Sequence, residues 1–313
     1  MIDLISLILP IVILIAVGFV AVHAKAVSPQ LVQALGIFVL NFALPALILN
    51  ALLQQDLRQT LNWNYVLVYG AGSLLTFGIV FAAARYLLHR PLPVASMAAL
   101  GGSASNSGFV GFPVASLAIG APALTALPLS MLVENILIIP LALAIAESGD
   151  QQGKSVPAVI GQTARRLART PLILAIVIGA VLSASGVRLP MPLATTLGMM
   201  ADAAVPCALL VVGGTLATLQ VQAVAGDVSL IVVGKLILHP ILVALGFAWI
   251  GGVPHGLMVA GIILASAPML TVYPIIGARF GQERLCAAAL VAATLAAFAT
   301  MVVFLGYLLA DSV

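Results

Sequence analysis

Gly101-Gly102-Ser103-Ala104-Ser105-Asn106-Ser107-Gly108-Phe109-Val110-Gly111-Phe112-Pro113 interrupts an otherwise apolar stretch with four glycines, three serines, an asparagine and a proline. Glycine and proline are the poorest helix formers, and Ser and Asn compete for backbone hydrogen bonds. No uninterrupted lipid-facing helix has this composition. The surrounding residues 94–117 are nonetheless long and apolar enough to cross a bilayer core, which takes about 20 helical residues. The stretch therefore predicts a transmembrane helix that breaks at membrane depth, where non-helical backbone is tolerated only inside protein or lining a wet cavity. A second stretch, Ala265-Ser266-Ala267-Pro268-Met269-Leu270-Thr271-Val272-Tyr273-Pro274, predicts the same. Its two prolines remove two amide donors and disfavour helix before each of them.

The two stretches are related by a constant offset of 161 residues. At that offset Pro10 falls on Pro171, Gly18 on Gly179, Pro45 on Pro206, Met97 on Met258, Ser105 on Ser266 and Pro113 on Pro274. Asn41-Phe42-Ala43-Leu44-Pro45-Ala46 likewise reads against Asp202-Ala203-Ala204-Val205-Pro206-Cys207. An internally duplicated apolar chain with paired helix breakers is the pattern of a secondary transporter, with its site at the repeat interface near the midplane. Half-helix N-termini at such breaks suit an anion, and freed carbonyls suit a cation.

Composition fixes the solvent. Apolar residues make up 63% and charged residues 7%, with a mean hydropathy of +1.25. A soluble domain carries about 25% charge. The net charge of +3 does not call for nucleic acid, because the basic residues cluster in a few loops rather than along a stripe. Cys207 and Cys286 both lie in apolar runs and read as buried free thiols. The N-terminal run lacks a basic n-region and is long for a signal peptide, so it reads as a retained span.

Ten spans follow, at 4–22, 31–53, 63–88, 94–117, 121–145, 171–185, 193–218, 228–250, 256–279 and 285–309. The fold class is an all-α membrane protein. Five helices in each half put the second half into the membrane in the opposite sense, a 5+5 inverted repeat. Residues 1–145 form the first repeat, 146–170 a linker loop and 171–313 the second repeat. With both termini outside, the inner loops hold Lys25, Arg85, Arg90, Lys154, Arg165, Arg166, Arg169, Arg279 and Arg284, against Arg58 and Arg188 in the outer loops. The positive-inside rule selects that orientation and a cytoplasmic central loop.

The order of spans, Pro45-Ala46-Leu47, Asn106-Ser107-Gly108-Phe109-Val110-Gly111-Phe112-Pro113 and Ala267-Pro268 together resemble the auxin efflux carrier family, which includes plant PIN-type carriers and bacterial malonate and malate permeases. The resemblance covers essentially the whole chain. It implies an elevator-type carrier of the bacterial inner membrane and a homodimer formed through its scaffold. The first, second, sixth and seventh spans would be that scaffold. The third to fifth and eighth to tenth would be the moving transport domain, with the fourth and ninth crossing at their breaks. Asn106, Pro113 and Pro274 would take the crossover roles. The sister bile-acid sodium symporters carry an acidic sodium ligand in the ninth helix, where this chain has Ser266 and Ala267, so a copied sodium site is in doubt.

The expected substrate is a small organic anion, a mono- or dicarboxylate such as malonate or malate. It is expected against the breaks, among Ser105, Asn106, Ser107, Pro113, Ser266, Pro268, Thr271, Tyr273 and Pro274, with Thr271 and Tyr273 as side-chain ligands. Ionisable residues inside a span are expensive and are functional candidates. Glu134 is the candidate coupling carboxylate for H+ or Na+, with Asn135 beside it and Ser130 one turn before. Lys235 and His239 share a helix face at i, i+4 spacing. Lys235 reads as a substrate counter-charge, a Glu134 partner or a snorkelling residue, and His239 as a packing residue or proton relay. Asn41, Pro45, Asp202 and Pro206 are expected at the scaffold wall. No cofactor and no metal is implied beyond a coupling ion. No Walker loop, Gly-x-Ser-x-Gly elbow, His-Glu-x-x-His or Cys-x-x-Cys occurs, which argues against an enzyme and against ATP-driven transport by this chain alone. The alternatives are a sodium-coupled symporter of larger amphipathic acids and a passive anion channel.

Overall fold

The computed structural model describes residues 2–54, 62–148, 170–185, 189–219, 223 and 225–310. The described residues are helical, with no strand among them. The helices are α1 (Ile2–His23), α2 (Pro29–Leu53), α3 (Trp63–Leu87), α4 (Leu92–Ser103), α5 (Phe112–Ile119), α6 (Ala121–Ser148), α7 (Pro171–Ala184), α8 (Met191–Thr218), α9 (Ala225–Ile250), α10 (His255–Ser266), α11 (Tyr273–Ala278) and α12 (Glu283–Ala310). Six of them, α2, α3, α6, α8, α9 and α12, are each long and apolar enough to cross a bilayer. Shorter apolar helices lie at residues 8–23, α7 and α10. The 149–169 part of the expected linker lies outside the described residues, as do Arg58, Lys154, Arg165, Arg166, Arg169 and Arg188.

Two predicted spans are each two helices. The 94–117 stretch is α4, then Ala104–Asn106 without regular structure, then a π turn at Ser107–Gly111 leading into α5. The 256–279 stretch is α10, a non-helical link over residues 267–272, and the short α11. Ala267 is extended, at φ −63° and ψ 150°, as the residue before Pro268 must be to clear the proline ring.

Proline shapes the unbroken helices too. Pro45, Pro113, Pro140 and Pro240 each follow a π turn ending two residues earlier, at Val39–Ala43, Ser107–Gly111, Glu134–Ile138 and Gly234–Leu238. Proline lacks an N–H, and its ring presses on the carbonyl four residues back. Widening the preceding turn gives that carbonyl room. Pro206 acts differently: its helix kinks at Ala203 instead.

Packing sorts the helices into two groups. In one, α1 lies on α8, α7 lies on α2, and α2 touches α8. In the other, α3, α4, α6, α9, α10 and α12 pack around one another, with the short α5 against α6 and α10 and the short α11 against α12. Two close approaches of the first group repeat at the sequence offset. Gly18 of α1 abuts the Leu210 backbone of α8, where a Cβ would sit 2.3 Å from the carbonyl oxygen. Gly179 of α7, 161 residues later, abuts Leu49 and Leu52 of α2, and Leu210 is itself 161 residues after Leu49. The second group carries the two ion pairs found among the described residues, Arg90–Asp227 at 2.9 Å and Arg279–Glu147 at 3.7 Å. Cys207 and Cys286 are free thiols, the first half-buried and the second buried.

Candidate functional site

The two breaks meet and are bonded to each other. The Asn106 N–H donates to the Pro268 carbonyl at 2.7 Å, and Asn106 Nδ2 donates to Thr271 Oγ1 at 2.6 Å. Glycine permits the approach. A Cβ on Gly111 would lie 2.9 Å from the Leu264 side chain, and one on Gly101 would lie 2.5 Å from the Tyr273 hydroxyl. The Asn106 N–H, freed by the interruption of one helix, is thus satisfied by a carbonyl of the other, as burial in an apolar medium requires.

Beside the crossing lies a cavity of about 290 Å³. Its polar lining is Asn41 of α2, Ser105, Asn106 and Ser107 of the first break, Glu134 and Asn135 of α6, Thr170 before α7, and Thr271 of the second break. Leu40, Leu44, Phe109, Met131 and Ile139 are among its apolar walls. A larger cavity of about 460 Å³ shares Leu40, Phe109, Thr271 and Val272 with it, and there Gln33, Thr215, Thr218 and Pro274 appear.

Glu134 sits at the inner wall of the smaller cavity and is 1% exposed. One carboxylate oxygen, Oε1, accepts from Ser107 Oγ at 2.6 Å and from the Tyr69 hydroxyl at 3.0 Å. Asn135 Nδ2 donates to the Met131 carbonyl at 2.8 Å. Ser130 turns away from the cavity and shares a 2.6 Å hydrogen bond with the Tyr65 hydroxyl.

Lys235 and His239 lie behind the crossing, both fully buried, so Lys235 does not snorkel. Lys235 Nζ donates to Ser105 Oγ at 2.6 Å, to the Ala265 carbonyl at 2.6 Å and to His239 Nδ1 at 2.7 Å. Accepting at Nδ1 assigns the His239 proton to Nε2, which donates to Ser73 Oγ at 2.9 Å; that hydroxyl donates to the Tyr69 carbonyl at 2.8 Å. Lys235 and Glu134 make no direct ion pair; Ser105 and Tyr69, 3.4 Å apart, stand between them. Among the described residues no buried side-chain nitrogen or oxygen lacks a partner.

Several expected site residues stand elsewhere. The Tyr273 hydroxyl donates to the Met97 carbonyl at 2.7 Å, fully buried and outside the cavity lining. Ser266 Oγ bonds back to the Ile263 carbonyl at 2.8 Å. Pro113 is buried in the first turn of α5, and Pro268 contributes its carbonyl to the crossing. Of the expected scaffold-wall residues, Asn41 lines the smaller cavity, while Pro45, Asp202 and Pro206 line neither cavity. Asp202 is exposed at the kink of α8. Sequence reasoning missed Tyr65, Tyr69 and Ser73. Their signal was present as a polar stripe at i, i+4 and i+8 on one face of an apolar helix.

Two interrupted helices that cross beside a small cavity and a closed polar network, in a chain this apolar, are the arrangement of a membrane transport protein. The sequence matches the family described as "Membrane transport protein" over residues 3–305, and the chain belongs to that family, the auxin efflux carriers. It is also 30% identical over 305 residues to a protein of Rhizobium meliloti (strain 1021) described as "Putative malonate transporter", covering 96% of this chain and 94% of that protein.

Proposed function

We propose that the protein is an elevator-type secondary carrier of small carboxylates, with malonate the first candidate, and that Glu134 takes up the coupling proton. The observation that carries this reading is a cavity at the helix crossing whose one ionisable wall group, among the described residues, is a carboxylate. An anionic substrate beside ionised Glu134 is repelled at short range in a poorly screened site. Protonation of Glu134 removes the repulsion, so anion and proton enter together. The start of the π turn at Ser107 then offers backbone N–H groups without intrahelical partners, together with Asn106 and Thr271, as anion contacts. Ligand pockets run from about 300 to 1,000 Å³. A cavity of about 290 Å³ favours a small dicarboxylate over a bulky amphipathic acid. The relative's name supports malonate.

In this reading the ten predicted spans form a 5+5 inverted repeat in the bacterial inner membrane, with both termini outside and the central loop cytoplasmic. The matched contacts Gly18–Leu210 and Gly179–Leu49 support the repeat. The group of α1, α2, α7 and α8 is the scaffold and dimer face, and the second group is the transport domain that slides along it. Its two ion pairs join only members of that group, as a rigid moving body requires.

The test is uptake of labelled malonate and malate into proteoliposomes under an imposed pH gradient. Wild-type uptake is expected to accelerate when the substrate side is acid, and Glu134→Gln is expected to respond to neither direction of the gradient. Uptake by the wild type that ignores the gradient would refute proton coupling. Absence of uptake of any small carboxylate would refute the substrate class.

A further inference from the structure

Lys235 is more fully satisfied than a counter-charge waiting for substrate would be. An ammonium has three donors and no acceptor. All three donors are used, on Ser105 Oγ, the Ala265 carbonyl and His239 Nδ1, at 2.6 to 2.7 Å. The acceptors come from three places: the first break, the last turn of α10 and α9 itself. The Ala265 carbonyl is free to accept because α10 ends at Ser266, so no helical N–H four residues on reaches it. Both α4 and α10 end at the crossing, and each C-terminus carries a partial negative charge. Hydroxyl, carbonyl and imidazole lone pairs converging between two helix C-termini form the coordination environment of a cation. The cation present is a side chain.

We propose that the Lys235 ammonium is the resident cation of the crossing. It takes the place of a bound inorganic ion, positions the two breaks against each other, and leaves the carrier without a need for Na+. This deepens the carrier reading above and rests on it, but its test does not use transport. Removing the side chain to alanine leaves a polar site with room for a small cation, so cation identity should then matter where it did not before. A purely structural lysine would lose stability in every salt alike.

The experiment follows thermal unfolding of the purified full chain in chlorides of sodium, potassium, methylammonium and choline at matched ionic strength. The wild type is expected to melt at one temperature in all four. Lys235→Ala is expected to melt several degrees lower in choline and to recover part of that loss in methylammonium or sodium. Lys235→Met refills the space without a charge and is expected to show no cation-dependent recovery. A Na+-specific rise in the wild type would overturn the proposal, as would Lys235→Ala melting equally low in every salt. If Lys235→Ala yields no folded protein, Lys235→Ser takes its place in the same four salts: recovery in sodium or methylammonium over choline upholds the proposal, and equal melting in every salt overturns it, as does stabilisation of the wild type by sodium. Failure of carboxylate uptake would leave these melting curves unchanged, so the two readings fail separately.

Discussion

Gly213 gives the sharpest test of how α1 and α8 are packed. A Cβ built on it would lie 1.9 Å from the Ile15 carbonyl oxygen and 2.8 Å from the Phe19 nitrogen, both backbone atoms of α1. Backbone cannot rotate aside as a side chain does. Reaching ordinary contact distance means that α1 must back away from α8 by roughly 1.5 Å along its crossing. Overpacking of this kind costs about 1–3 kcal/mol, while Gly→Ala inside a helix returns about 1 kcal/mol of propensity. Because the clash is with backbone on a helix fixed along its whole length, the upper end applies. Gly213→Ala is expected to destabilise by about 2 kcal/mol and to lower the melting temperature by roughly 3 °C. Gly198, on the same helix, meets nothing within 4 Å, so Gly198→Ala is the control and should be neutral or slightly stabilising. Unfolding can be followed by a fluorogenic thiol reagent in a Cys207→Ser background, since the remaining thiol, Cys286, is buried and is reached when the fold opens. Equal melting of Gly213→Ala and wild type would refute the close backbone crossing of α1 and α8 and, with it, the packing on which the Gly18 contact depends.

Other outcomes follow from the site. Asn106→Ala removes the 2.6 Å bond to Thr271 and exposes a cavity wall; carboxylate affinity should fall by on the order of tenfold, and Thr271→Val should fall similarly, with the double variant no worse than the poorer single one in a binding titration. Tyr273→Phe removes a fully buried hydroxyl that serves the Met97 carbonyl; it should cost about 1–2 kcal/mol in a melting experiment and leave substrate affinity unchanged.

Much was legible without coordinates because it was written locally. Proline and glycine state where a helix cannot continue, and the breaks fell inside Gly101–Pro113 and Ala265–Pro274, with the non-helical links at Ala104–Asn106 and at residues 267–272. Glu134 could be named because a carboxylate in an apolar span is costly wherever it lies, and Lys235 and His239 because i, i+4 spacing puts them on one face. Their partners were not legible. Nothing in the spacing of Lys235 says that it meets Ser105, 130 residues away, or that Tyr69 rather than Lys235 reaches Glu134. Thr271 and Tyr273 looked alike as ligands from the sequence; one borders the cavity and the other is turned to Met97.

The sequence alone determined the apolar class, the matches at a 161-residue offset and the two interruptions, since hydropathy and helix-breaking are properties of each residue and its near neighbours. The tertiary structure decided which freed backbone groups satisfy each other, which side chains wall the cavity and which lone pairs surround the buried ammonium. Those outcomes depend on how far apart two helices cross, and at the crossings that distance is set by glycines such as Gly18, Gly111 and Gly213 meeting backbone or side chains that no linear pattern encodes.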